Sequence, residues 1–196
     1  STSAGEVLVV AGALVLGYPL PVLAAQIIWL NFVTDGFLDV ALAMEPKEKG
    51  LMQGKFERPK KWIVDGLMAQ RIFLMALPMA SGTLYLFQEY FETDITKALT
   101  ISLTVLAVFQ WFNAWNCRSA SKSIFQMNPF SNKFLVGATA LVIFLQFVAL
   151  YTPFLQKVLH TTPLKFSEWL IIISMAGSII LVEEIRKLFH RRKLIR

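Results

Sequence analysis

Asn31, Thr34 and Asp35 sit in a stretch whose only charge between Pro19 and Gly36 is Asp35 itself. The run reads Gln26-Ile-Ile-Trp-Leu-Asn-Phe-Val-Thr-Asp-Gly36. A carboxylate in an apolar membrane segment is costly, and its default reading is functional. On an α-helix the three positions stand at i, i+3 and i+4 and share one face. They offer an amide oxygen, a hydroxyl and a carboxylate, hard donors that suit calcium, magnesium, manganese or alkali cations. Gly36 follows at once, and glycine lets a helix loosen so that carbonyls can turn toward an ion. The competing reading is an aspartate paired to a neighbouring helix for packing alone.

Other polar groups fall at membrane depth. Glu6 stands next to Gly5 and near Ser3. It is either a ligand or a solvated acid at a helix end. Gln110 and Asn113 are three residues apart on one face, either as ligands or as hydrogen-bonding glue between helices. Asp39 lies one turn beyond Asp35, lining an ion entrance or reached by water. Carboxylates and amides from separate helices can replace an ion's hydration shell. Carboxylate ligands must be deprotonated to bind a cation, so cation binding and proton release are linked. That is the logic of exchanging an outgoing metal ion for incoming protons.

The elements that carry these groups are membrane helices. The 196 residues are 56% hydrophobic and 16% charged, with mean hydropathy +0.57. Soluble domains average about 25% charged residues. A span needs about 20 apolar residues. Six apolar segments fit an all-α, polytopic bundle of six transmembrane helices, at about 5–18, 22–43, 63–87, 97–116, 133–154 and 167–189. Gly17-Tyr-Pro-Leu-Pro21 breaks the first two spans, because paired prolines cannot continue a helix. A charged loop over 44–61 separates the second and third. Of the 19 basic residues, 15 lie in the 44–61 loop, the 117–133 loop and the tail from Arg186. The positive-inside rule therefore places these segments and both termini in the cytoplasm. Trp62, Trp111, Trp115 and Trp169 fall near span ends, where interfacial anchors sit.

The net charge of +6 reflects this orientation and anionic headgroups rather than nucleic acid. The single Cys117 excludes an intrachain disulfide and a cysteine metal cluster. His160 and His190 read as solvated. There is no phosphate-binding loop, no His/Cys metal spacing and no Ser-His-Asp set. The opening Ser-Thr-Ser-Ala-Gly-Glu has no basic leader, which argues against a signal peptide. Its direct run into an apolar helix leads us to expect a fragment of a longer chain.

Trp29-Leu-Asn-Phe-Val-Thr-Asp-Gly36, followed by Ala41-Leu-Ala-Met-Glu-Pro46, closely resembles the sixth transmembrane helix of the P-type cation-transporting ATPases, calcium-pump branch. Ser3-Ala-Gly-Glu6 resembles the Asn-x-Gly-Glu of the family's fifth helix. Phe109-Gln-Trp-Phe-Asn-Ala-Trp-Asn-Cys-Arg118 resembles the eighth, and Lys122-Ser-Ile-Phe125 the cytoplasmic turn after it. The resemblance covers the whole chain in span order, is most specific over 26–46, and rests on topology for the last two spans. It implies helices five to ten of such a pump. It places Asn31 and Asp35 in the main ion site, with Thr34 and Glu6 contributing to or flanking a second; Gln110, Asn113, Ser3 and Asp39 are further candidates. The implied partners are the lipid bilayer, the first four transmembrane helices, and the actuator, phosphorylation and nucleotide domains. Mg-ATP would act only through those domains, so the chain alone would not be catalytic. The 44–61 loop would lie beneath the phosphorylation domain.

Two departures matter. Two-ion calcium pumps carry Asn where Ser3 stands and Glu where Gln110 stands. Fewer anionic ligands favour fewer divalent ions, so the expectation is one calcium-like ion per cycle. Gln110 also looks like the sodium and plasma-membrane calcium branches, which keeps manganese and sodium open. The alternatives to a pump segment are a self-contained six-helix secondary transporter or channel and a scaffold with structural polar glue. A secondary transporter would show paired repeats or a complete midplane site, and neither is visible.

Overall fold

Gly17 ends the first helix. It takes a left-handed conformation, φ 72° and ψ 20°, and its N–H returns to the carbonyls of Ala13 and Leu14. Glycine adopts that backbone without the Cβ penalty, and the Pro19-Leu-Pro21 segment then carries the chain to the next helix. In the computed structural model of the protein, which describes residues 1–46, 66–119 and 122–194, the helices are α1 (Thr2–Leu16), α2 (Ala24–Trp29), a π-helical turn (Leu30–Asp35), α3 (Gly36–Ala43), α4 (Gly66–Gln88), α5 (Ile95–Asn116), α6 (Lys133–Tyr151), α7 (Pro153–Leu159) and α8 (Phe166–Leu194). No strand occurs among the described residues. Most of the 44–61 loop and Trp62 lie outside them.

The protein is a helical membrane bundle. Ala24–Ala43, Ile95–Asn116, Lys133–Tyr151 and Phe166–Phe189 are each long and apolar enough to cross a bilayer. The apolar α1 is shorter, and α4 has 23 residues with Pro78 inside. Membrane helices tolerate such a proline where neighbouring groups take up the freed backbone bonds.

α5 is the central column, buried along nearly its whole length from Ala98 to Asn116. α4 and α8 pack on one side of it, and the α2–π–α3 span with α6 on the other. α1 packs chiefly on α4. A Cβ on Gly12 would stand 2.7 Å from Leu84 Cδ1, and one on Gly5 would stand 3.2 Å from Met79, so small residues bring these two helices close, as is common between membrane helices. The two halves of the bundle thus meet on α5.

Several charges near the span ends are structural. Arg118 is buried and holds Glu45 in a bidentate pair at 2.9–3.2 Å. Lys187 is buried and donates to the Asn116 carbonyl at 3.2 Å, a cation on a helix C-terminus. Glu183 joins Arg71 at 3.0 Å and Arg186 at 2.7 Å. α8 therefore continues as packed helix through residues expected to form a tail. Trp111 and Trp169 are buried in the bundle, while Trp115 donates to the Thr139 hydroxyl at 3.0 Å.

Candidate cation site

Glu6, the first acid of α1, is buried where three helices meet. Its Oε2 accepts from Asn31 Nδ2 at 2.8 Å, and its Oε1 accepts from Gln110 Nε2 at 2.9 Å. Asn31 Nδ2 also donates to the Ile27 carbonyl at 2.9 Å. The Gln110 amide oxygen is left buried with no hydrogen-bond partner. In an apolar interior such an atom is expensive, and it is an acceptor available to a ligand.

Asn31 and Asp35 belong to the π-helical turn. The Gly36 N–H bonds to the Asn31 carbonyl five residues back, so the turn holds more than the 3.6 residues of an α-helix. This corrects the expected common face. Position 35 stays nearly in line with 31, while position 34 falls further short of a full turn. Asn31 is accordingly exposed, Asp35 half-buried and Thr34 buried. Gly36 does not unwind the helix: it has helical φ −56° and ψ −49°. The span adapts by widening its turn, and π-turns of this kind occur often at functional sites.

A cavity of about 380 Å³ opens beside this turn. Ser3, Asn31, Asp35, Asp39, Gln110 and Asn113 all line it, and Thr34 and Glu6 are not among its lining residues. Asn113 donates to the Ser1 hydroxyl at 3.0 Å. Asp35 faces Thr2 and feels Asp39 and Glu6 electrostatically. Among the described residues neither Glu6 nor Asp35 forms an ion pair with lysine or arginine. Nor do three His, Cys, Asp or Glu side chains cluster among them. A cation here would therefore draw on amide and hydroxyl oxygens together with two carboxylates. Ser1, Thr2 and Cys117 also line the cavity and were not among the expected residues. Thr2 stands four residues before Glu6, the spacing that shares a helix face, and that spacing was its signal in the sequence.

Comparison with known proteins gives the family. The family model described as "Cation transporting ATPase, C-terminus" matches residues 19–189. The chain belongs to this family. The match takes in the π-turn, Gln110 and Asn113. Within the cation-transporting ATPases, the chain is 31% identical over 180 residues to the calcium-transporting ATPase of Bacillus subtilis, covering 90% of this chain. It is 31% identical over 196 residues to calcium-transporting ATPase 1 of Saccharomyces cerevisiae, covering 98%, and 30% identical over 198 residues to calcium-transporting ATPase type 2C member 1 of Mus musculus, also covering 98%. The chain spans about a fifth of the length of these relatives, 20% or 21% in each case.

Proposed function

We propose that this chain is the ion-binding membrane part of a P-type pump that transports calcium across a membrane, coupled to ATP hydrolysis and proton counter-transport. The observation that carries the reading is Glu6 bridging Asn31 and Gln110 beside the Asp35 cavity. In this arrangement both Glu6 oxygens are occupied by amide N–H groups. Rotation of the Asn31 and Gln110 amides exchanges those N–H groups for carbonyl oxygens, since each amide carries both. A divalent cation arriving through the cavity then finds two carboxylates to balance its charge and amide oxygens to replace water. When the cation leaves, protons neutralise the carboxylates, which links the two flows.

Two carboxylates match one divalent ion. Gln110 contributes no charge and Ser3 is short, so we infer one calcium per cycle. Both termini and the 44–61 loop lie on the cytoplasmic side in this reading, and Asp39 lines the cytoplasmic approach. The remaining transmembrane helices and the actuator, phosphorylation and nucleotide domains supply the rest of the pump, and Mg-ATP binds there. Replacing Asp35 by Asn in the intact protein tests the assignment. Calcium-activated ATP hydrolysis should be lost, and retention with unchanged calcium affinity would refute it. The ratio of calcium transported to ATP hydrolysed tests the stoichiometry, with one expected and two excluding it.

A further inference from the structure

We propose that Gln146, which touches no part of the cation site, is a positioning residue that sets the rotation of the π-turn through Trp29; this rests on the cation-site reading above. Gln146 lies within α6 and is 1% exposed. Both ends of its amide are used. Oε1 accepts from the Trp29 indole N–H at 3.3 Å, and Nε2 donates to the Thr104 hydroxyl at 3.2 Å. Thr104 in turn donates to the Thr100 carbonyl of α5 at 2.7 Å. One side chain thus ties together α2, α5 and α6.

The position of Trp29 gives this tie its consequence. It is the last residue of α2, immediately before the π-turn. Holding its indole fixes how the helix is rotated as it enters the turn that presents Asn31 and Asp35. A π-turn differs from an α-turn by one residue in its hydrogen-bond register. Slippage between the two would turn Asn31 relative to Asp35, so an upstream anchor matters here more than in a uniform helix.

α6 also grips the downstream end. Asn132, which caps α6 through its bond to the Leu135 N–H, donates to the Ala41 carbonyl at 3.0 Å and to Glu45 at 2.8 Å. The span is therefore pinned by one helix on both sides of the turn. Glu6 comes instead from α1, which packs on α4. The site joins two halves of the bundle, and α6 sets the orientation of one of them.

The test is a double-mutant cycle in the intact pump, read as the calcium concentration for half-maximal ATP hydrolysis and as the rate at saturating calcium. Gln146→Leu and Trp29→Phe should each raise the half-activating concentration about fivefold or more while the saturated rate falls less than twofold, because a misrotated turn weakens binding and leaves the ATP chemistry intact. The double variant should be no worse than either single, since both remove one contact. Unchanged affinity in either variant, or shifts that multiply in the double, would overturn the proposal. Where Gln146→Leu fails to accumulate, Trp29→Phe decides alone by the same criterion. Asp35→Asn serves as the reference. If it abolishes calcium-activated ATP hydrolysis while Gln146→Leu and Trp29→Phe leave the half-activating concentration unchanged, the positioning role falls and the cation site stands. If it retains calcium-activated ATP hydrolysis with unchanged calcium affinity, the cation-site reading itself falls and this proposal with it.

Discussion

Asn31 and Glu6 share a 2.8 Å hydrogen bond between two spans whose backbones pack on different neighbours. α1 lies against α4, and the π-turn lies against α5 and α6. The bond is therefore a bridge between two halves of the bundle rather than a by-product of close helix packing. Gln110 on α5 completes it from the central column.

Removing the Asn31 side chain tests its importance. Asn31→Ala deletes one amide oxygen from the cation's coordination; the Asn31 N–H bond to Glu6, which calcium binding breaks in any case, does not count toward that loss. The half-activating calcium concentration should rise about tenfold, the equivalent of roughly 1.4 kcal/mol. Calcium titration of ATP hydrolysis in the intact protein checks this, and an unchanged midpoint would remove Asn31 from the site.

Gln110→Glu probes the charge of the site. It places a carboxylate where an amide nitrogen now stands 2.9 Å from Glu6. Two carboxylates that close cannot both ionise without a cation between them. The added acid must shed a proton before calcium binds, so acidification opposes binding more strongly. Apparent calcium affinity should fall more steeply between pH 7.5 and pH 6 in the variant than in the parent. Parallel pH profiles would show that position 110 does not face the ion.

The contrast between Asp35 and Gln146 shows what the sequence made legible. Asp35 stood out because a lone acid in an apolar run has few structural reasons to exist, and the surrounding motif named its family. Gln146 is a single polar residue in an apolar helix, with nothing local to distinguish a tether from filler. The π-turn was hidden for a related reason. It differs from an α-turn in hydrogen-bond register, as in the Gly36 N–H to Asn31 carbonyl bond, and residue types do not encode that choice. Thr34 is therefore buried while Asn31 is exposed, a difference that α-helical spacing does not foresee. Arg118 and Glu183 were hidden by distance along the chain: Arg118 meets Glu45 across 73 positions. Charge counting near span ends detects sidedness but cannot see such pairs.

That pair gives a stability prediction. Arg118 forks onto both oxygens of Glu45, and its guanidinium lies 5.3 Å from the Trp115 ring centre. Lysine cannot reproduce a planar bidentate grip. Arg118→Lys should therefore shorten the thermal-inactivation half-life almost as much as Arg118→Ala. A lysine variant indistinguishable from the parent would mean that charge alone, without the fork, holds Glu45.

The cluster under α5 allows a sharper test of buried charge. Glu183 is fully buried and binds Arg71 at 3.0 Å and Arg186 at 2.7 Å. Breaking a buried pair by removing one partner costs about 3–5 kcal/mol, because the other charge is left uncompensated, whereas replacing both partners with apolar residues is often near neutral. Glu183→Leu takes the carboxylate away from Arg71 and Arg186, which lie beside Lys187. Adding Arg71→Leu removes the guanidinium from α4. Arg186, partly buried like Arg71, lies near the end of α8 and can extend its head toward water along its aliphatic stem. The single variant should thus inactivate much faster on heating than the parent, and the double variant should recover a large part of the loss. Equal half-lives for single and double would show that the damage comes from the lost packing of Glu183 itself rather than from the stranded cation of Arg71.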